Sequence, residues 1–284
     1  MNFPWYVKIG AKVILSNTPL RYGCFRRIGI FRHGSMDSAA YSLQVFQDHL
    51  KIAENNGVED GFTVLEIGPG DSVASALFAA SLGASRIWLI DSGAYATTNM
   101  QTYCAIADYA ISNGLTIPQE TVFDSIELFL QSCRAKYYVD GLESLKKLAD
   151  SSVDFIWSHA VLEHIRVHEF SEFIVEMYRV LRPGGVASHR VDLQDHLSGG
   201  LNNLRFSNSI WESDLMSESG FYTNRIRYQE MLDVFSEAGF ENEVIEIDRW
   251  PELPLSKNLM NSQFQSIAID ELCVRAFSLV ATKK

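Results

Sequence analysis

A short apolar run, Val64-Leu65-Glu66-Ile67, leads directly into Gly68-Pro69-Gly70-Asp71-Ser72. Glycine at two such places lets main chain approach a ligand where a Cβ would stand in the way. A helix opening behind the turn offers free N–H groups and partial positive charge, which suit a ligand carboxylate or phosphate. Glu66, just ahead of the turn, sits where a ligand amine could be paired. Asp91 closes the next apolar run, 21 residues after Gly70. A carboxylate there can receive two ribose hydroxyls on its two oxygens. A dinucleotide site wants a third glycine three places after the second. Val73 occupies that place, which weighs against a pyrophosphate. Gly-x-Gly also occurs as a bare turn; it is Asp91 at its spacing that argues for a ligand. Downstream, five of the seven histidines (His159, His164, His168, His189 and His196) fall within 38 residues. Imidazole is the side chain best suited to moving a proton near neutral pH.

Further segments extend the pattern. Val139-Asp140-Gly141-Leu142 follows a third apolar run. Ser152-Val153-Asp154-Phe155-Ile156-Trp157-Ser158 forms a fourth. Val161-Leu162-Glu163-His164-Ile165 comes next, and Val180-Leu181-Arg182-Pro183-Gly184-Gly185 precedes a fifth. With the glycine turn, these segments resemble the class I S-adenosylmethionine-dependent methyltransferases over about residues 60–190. The resemblance implies an α/β, Rossmann-like fold: a seven-stranded, mostly parallel sheet in the order 3-2-1-4-5-7-6, with the seventh strand antiparallel and helices on both faces. It implies S-adenosylmethionine as cofactor and S-adenosylhomocysteine as product. Glu66, Gly68, Pro69 and Gly70 are expected along the methionine end, Asp91 at the ribose, and Asp140 with Gly141 at the adenine edge. Ser158 is expected where the fourth strand meets the cofactor.

Ligands of open α/β sheets lie at the carboxyl ends of the strands, so the histidine cluster is expected beside the transferred methyl group. Transfer to a hydroxyl needs a base. His164 and His189 are the candidates, with Glu163 or Asp192 to orient the imidazole. A structural role, hydrogen-bonded in a loop, is the competing reading for each. The ubiquinone-biosynthesis and small-RNA 2′-O-methyltransferases resemble this chain at Glu163-His164, where an E-x-x-E-H loop holds a divalent ion. Ala160 stands at the first of those positions, so a metal is not favoured; Glu163, His164 and His196 are the set it would use.

The stretch 193–228 reads as an acceptor-binding insertion. Its aromatics, asparagines and arginines suit a polar small molecule or a glycan. Tyr222, Arg225 and Arg227 are the candidate contacts, with the arginines able to clamp a phosphate or carboxylate. The expected reaction is therefore O-methylation. N-methylation, a cofactor-binding partner subunit without turnover and a nicotinamide-dependent oxidoreductase are the alternatives.

The elements that must position these groups are legible as alternation. Phe62–Ile67, Arg86–Asp91, Lys136–Asp140, Val153–Ser158 and Val186–Val191 read as buried strands separated by helical stretches, the signature of parallel β-α units. Ser72–Leu82, the stretch from Phe173 to Leu181, and Glu230–Ala238 read as helices. Glu243–Ile247 and Arg275–Ala281 read as two final strands. Residues 1–58 read as a helical cap before a body of 59–284, with Ala39–Glu54 helical and a turn at Phe31–Asp37.

Composition narrows the function classes. Of 284 residues, 47% are hydrophobic and 21% charged, as in a soluble globular protein. The net charge of −11 argues against nucleic acid as partner. Basic residues gather at the start, where Lys8, Lys12, Arg21, Arg26, Arg27 and Arg32 face no acidic neighbour in sequence. That segment could fold over the site as a lid or lie on an anionic membrane surface. The four cysteines form no C-x-x-C pair. With no secretory leader in view, this fits a reducing, cytoplasmic setting. Oligomeric state is left open.

Overall fold

The computed structural model describes Tyr6, Ile9, Gly10 and residues 36–284. The lid or membrane role of the basic N-terminal segment, and most of the Phe31–Asp37 turn, lie outside the described residues.

Helix α1 (Ala39–Asn55) places Leu43, Phe46, Leu50 and Ala53 on one buried stripe. It packs against the sheet and the helices beside it. The chain then alternates through β1 (Thr63–Ile67), α2 (Ser75–Ser81), β2 (Arg86–Ile90), α3 (Met100–Ser112), α4 (Ile126–Ser132), β3 (Ala135–Tyr138), α5 (Gly141–Lys146), β4 (Val153–His159), α6 (Val167–Val180) and β5 (Leu181–Asp192). Short helices α7 (Asn208–Trp211) and α8 (Asp214–Ser217) precede α9 (Tyr228–Glu237) and β6 (Glu241–Arg249). Then α10 (Ser262–Gln265) and α11 (Ile269–Leu272) lead to β7 (Val274–Thr282).

The strands form one seven-stranded sheet in the order β3-β2-β1-β4-β5-β7-β6. The first five are mutually parallel, and β7 runs antiparallel to both β5 and β6. This is the expected Rossmann-like order. Side chains alternate between two buried layers, as strand geometry requires. Phe46, Phe78, Tyr103, Phe129, Phe155 and Trp157 fill one face. Leu65, Ile156, Phe170, Ile174, Met177, Phe235 and Phe277 fill the other.

Two expectations change. Helix α2 begins at Ser75 rather than Ser72, because Asp71–Ala74 complete the glycine turn before the helix starts. Strand β5 begins at Leu181, so Arg182-Pro183-Gly184-Gly185 belongs to the strand. The register passes from Val153↔Leu181 to Phe155↔Val186, which makes the segment a bulge. Gly185 is needed there, since a Cβ would lie 2.8 Å from the Leu181 side chain.

The acceptor-side insertion is also more solid than a polar loop. Its Leu201 and Leu204 join Leu255, Met260, Phe264 and Leu272, from the segment between β6 and β7, in a separate core. Leu197, Trp211, Met216, Phe221 and Tyr222 form another beside it. Among the described residues no helix is long and apolar enough to cross a membrane.

Candidate active site at the carboxyl ends of the strands

The glycine turn is built for shape first. Gly68 and Gly70 have φ of +72° and +65°, values that side chains rarely adopt. At Gly68 the nearby group is protein: a Cβ would stand 2.5 Å from a Val161 methyl. The loop after β4 therefore closes directly on the turn after β1. Gly68 N–H donates to the Ile90 carbonyl at 2.8 Å. Gly70 N–H donates to Asp91 Oδ2 at 2.9 Å. Pro69, between them, is buried.

Asp91 is the junction of the crevice. Its Oδ1 accepts from Ser92 N–H at 2.8 Å. Its N–H donates to the Tyr138 carbonyl at 2.9 Å, and its carbonyl accepts from Gly141 N–H at 2.8 Å. The turns after β1, β2 and β3 thus meet at one half-buried residue, the first two at its carboxylate and the third at its main chain. Each oxygen accepts one N–H and retains a second lone pair, so the residue suits two vicinal hydroxyls. Burial pushes its carboxyl up to about 6, against the pull of the Gly70 and Ser92 N–H groups. Asp140 stands exposed on the same rim, its carboxylate paired with Lys147 at 2.9 Å. Gly141 has φ of +51°.

Glu66 is a correction. It is 2% exposed and accepts the Ser75 hydroxyl hydrogen on Oε2. Burial drives its carboxyl up to about 8, with Ser75 opposing and Asp91 assisting. A neutral acid behind the turn ties β1 to the start of α2 and is not presented to a ligand amine. Ser158 is a second correction. Its hydroxyl is fully buried, 2.7 Å from His189 Nδ1.

His189 falls with Ser158. It is 1% exposed and packs on Phe235, with centroids 5.5 Å apart. Burial lowers its imidazole to about 3. A base must touch its proton source, and this imidazole lies inside the sheet–helix layer. Its place between Ala187 and Val191, in period two with them, was the available signal.

His164 is exposed at the end of the short 3-10 turn Leu162–His164. Its Nδ1 lies 2.8 Å from the Tyr222 carbonyl oxygen. A carbonyl only accepts, so Nδ1 carries the hydrogen, and whenever the ring is neutral its lone pair is on Nε2. The partner orienting Nδ1 is thus a main-chain oxygen, where Glu163 or Asp192 was expected. Glu163 is 1% exposed, accepts Asp192 N–H at 3.2 Å on Oε1, and buries Oε2 with no hydrogen-bond partner among the described residues. Burial, aided by the Asp192 charge, raises its carboxyl well above the usual range. Asp192 Oδ1 is taken by Gln194, through N–H at 2.9 Å and Nε2 at 3.0 Å. The His196 ring lies edge-on to His164, centroids 4.7 Å apart. Among the described residues no three His, Cys, Asp or Glu side chains converge as metal ligands. Glu163, buried with Oε1 accepting the Asp192 N–H, does not complete a set with His164 and His196.

The expected acceptor contacts are corrected too. Arg227 is buried and donates to the carbonyls of Leu193, Leu272 and Val274 at 3.0, 3.3 and 2.8 Å. Arg225 is buried against Trp211 and Phe264 and donates to the Phe206 carbonyl at 2.7 Å and Asn208 Oδ1 at 2.6 Å. The Tyr222 hydroxyl donates to Glu212 Oε2 at 2.9 Å. These three side chains hold the insertion together and are not offered to an acceptor.

The sequence reading passed over His49 of α1. It is buried, with Nδ1 2.8 Å from Ser188 Oγ and Nε2 3.3 Å from His159 Nδ1. Its place on the stripe with Phe46 and Leu50 was the signal.

A family model described as a methyltransferase domain matches residues 65–188. Residues 65–188 thus match a methyltransferase domain, on a sheet in the strand order expected of the Rossmann-like methyltransferase fold. A search of curated proteins by sequence finds no match. Among solved structures, a methyltransferase from Methanosarcina mazei shares 20% identity, with 81% of this chain and 96% of that chain covered at a TM-score of 0.49. An arsenic(III) methyltransferase from Chlamydomonas reinhardtii shares 17%, covering 87% and 74%, at 0.46. A phosphoethanolamine N-methyltransferase from Haemonchus contortus shares 18%, at 0.44. The chain covers 53% of that enzyme's length, and 84% of the chain is matched.

The methyltransferase crevice fits its cofactor on its own geometry. Each Asp91 oxygen accepts one N–H, from Gly70 and from Ser92, and has acceptor capacity left. S-adenosylmethionine supplies a methyl group on a sulfonium leaving group. Asp91 would hold its ribose, and the rim at Asp140 and Gly141 its adenine.

Proposed function

We propose that this methyltransferase methylates a hydroxyl of a polar small molecule or sugar, with His164 as the base. The supporting observation is the 2.8 Å contact from His164 Nδ1 to the Tyr222 carbonyl. It sets the ring with its lone pair on Nε2, the form a general base needs before it takes a proton. As Nε2 is protonated, the same carbonyl remains hydrogen-bonded to Nδ1–H and stabilises the positive ring. Asp91, Gly68 and Gly70 would fix the cofactor, leaving the acceptor to be aligned between it and the loop after β4. Acceptor recognition on this reading does not run through Arg225 or Arg227.

The test is a screen of sugars, phenols and amines as acceptors, scored by S-adenosylhomocysteine release with and without a chelator. Release with hydroxyl acceptors, unaffected by chelator and lost in His164→Ala, is the expected result. Preference for amines with full turnover in His164→Ala would overturn O-methylation.

A further inference from the structure

Within the loop that carries His164, the His164 N–H donates to the Val161 carbonyl at 2.8 Å, but three further carbonyls are bonded from outside it. Leu162, Glu163 and Ile165 offer carbonyl oxygens that the short 3-10 turn leaves without helical partners. All three are taken by Asn224, from the far side of the insertion. Its N–H donates to the Glu163 carbonyl at 2.7 Å. Its Nδ2 donates one hydrogen to the Leu162 carbonyl at 2.8 Å and the other to the Ile165 carbonyl at 3.0 Å. Its Oδ1 accepts from Ile226 N–H at 3.1 Å. The amide orientation is fixed, because two carbonyls can only accept and one N–H can only donate. Asn224 is 4% exposed and its side chain uses both hydrogens and its oxygen. Two residues away along the same strand of chain, the Tyr222 carbonyl receives His164 Nδ1. The clamp and the orienting oxygen therefore belong to one short segment, 222–224.

We infer that Asn224 is a positioning residue for methyl transfer: it clamps the Leu162–Ile165 turn so that His164 meets the Tyr222 carbonyl through Nδ1 and presents Nε2 toward the acceptor. The inference rests on His164 being the base, but its structural half is measurable without an acceptor. Nitrogen-15 spectra of the histidine rings in the S-adenosylmethionine-free enzyme report which nitrogen of His164 carries hydrogen. Wild type is expected to show the Nδ1–H form alone. Asn224→Ala, and the milder Asn224→Ser, are expected to shift His164 to a mixture of both forms. Calorimetric affinity for S-adenosylmethionine should stay within about twofold, since the Gly70, Ser92 and Gly141 N–H groups that hold Asp91 lie outside the clamped turn. Turnover with the best acceptor of the screen should fall about 10- to 100-fold, the scale of a misplaced catalytic group. Asn224→Asp, which sets a carboxylate against two carbonyls, should be worse than Asn224→Ala. Retention of the Nδ1–H form in both Ala and Ser variants would overturn the inference. So would loss of cofactor binding in both, which would assign Asn224 to the fold at large. A His164→Ala variant with full turnover sinks the base reading alone and leaves the tautomer result standing.

Discussion

At the scale of single residues, the crevice divides its carboxyls by environment. Asp91, half-buried and holding two N–H groups, titrates near 6, whereas Glu66 behind it titrates near 8. Only the first is offered to a ligand in its charged form at neutral pH. Ribose hydroxyls donate best to a carboxylate, so bound cofactor must pull the Asp91 proton off more easily than in the free enzyme. The affinity for S-adenosylmethionine should thus be full above about pH 6 and weaken as pH falls below the free-enzyme value near 6. Calorimetry from pH 5 to 8 reads this directly, and Asp91→Asn should weaken binding about tenfold or more and flatten the pH dependence. His164→Ala should act on the other quantity. Turnover is expected to drop by about 10²- to 10⁴-fold with cofactor affinity unchanged. A drop in affinity instead would place His164 in the cofactor site.

At the scale of elements, the sheet was readable and the buried charges were not. Apolar runs at regular intervals mark strands because a parallel sheet covered on both faces must be apolar on both. All seven strands fall where those runs are, with shifted ends. The start of β5 escaped because Pro183-Gly184-Gly185 carries turn chemistry, and only the partner strand reveals a bulge. Arg225 and Arg227 escaped for a different reason. An arginine among Tyr, Thr and Asn reads as surface, and nothing local says that carbonyls from β7 and from the end of β5 converge on it. Both guanidinium groups lose ground to burial, down to about 10, yet stay charged at pH 7. Arg227 spans the end of β5, α11 and the start of β7 through three carbonyls. Arg227→Ala leaves those oxygens without donors and should cost about 3 kcal/mol of stability. Urea unfolding measures that cost. Acceptor KM in the same variant, at a temperature where it is folded, should match wild type. A raised KM with wild-type stability would return Arg227 to the acceptor site.

At the scale of the whole molecule, the two buried faces enclose ionisable groups of both kinds, and their protons set how stability follows pH. Glu66 and Glu163 are raised by burial, so the native state holds protons that the unfolded chain has released. The stability Glu66 contributes is complete below about pH 4.5 and is lost as pH climbs through about 8. His49 and His189 are lowered by burial, so the native state refuses protons that the unfolded chain accepts. The His189 contribution is complete above about pH 6.5 and is lost as pH drops toward 3. Glu66 and His189 oppose each other between pH 4.5 and 6.5, and of this pair only Glu66 acts above that window and only His189 below it. Stability of the cofactor-free protein should therefore be greatest inside it and decline on both sides. Each group contributes a slope of at most about 1.4 kcal/mol per pH unit where it acts alone. Glu66→Gln keeps the hydrogen bond to Ser75 and removes the proton. It should flatten the decline between pH 6.5 and 8 in urea unfolding and leave the acid side as it was, while His189→Asn should do the reverse. An alkaline slope unchanged by Glu66→Gln would mean that this carboxyl reaches water, and the turn after β1 would then need another support for the junction with α2.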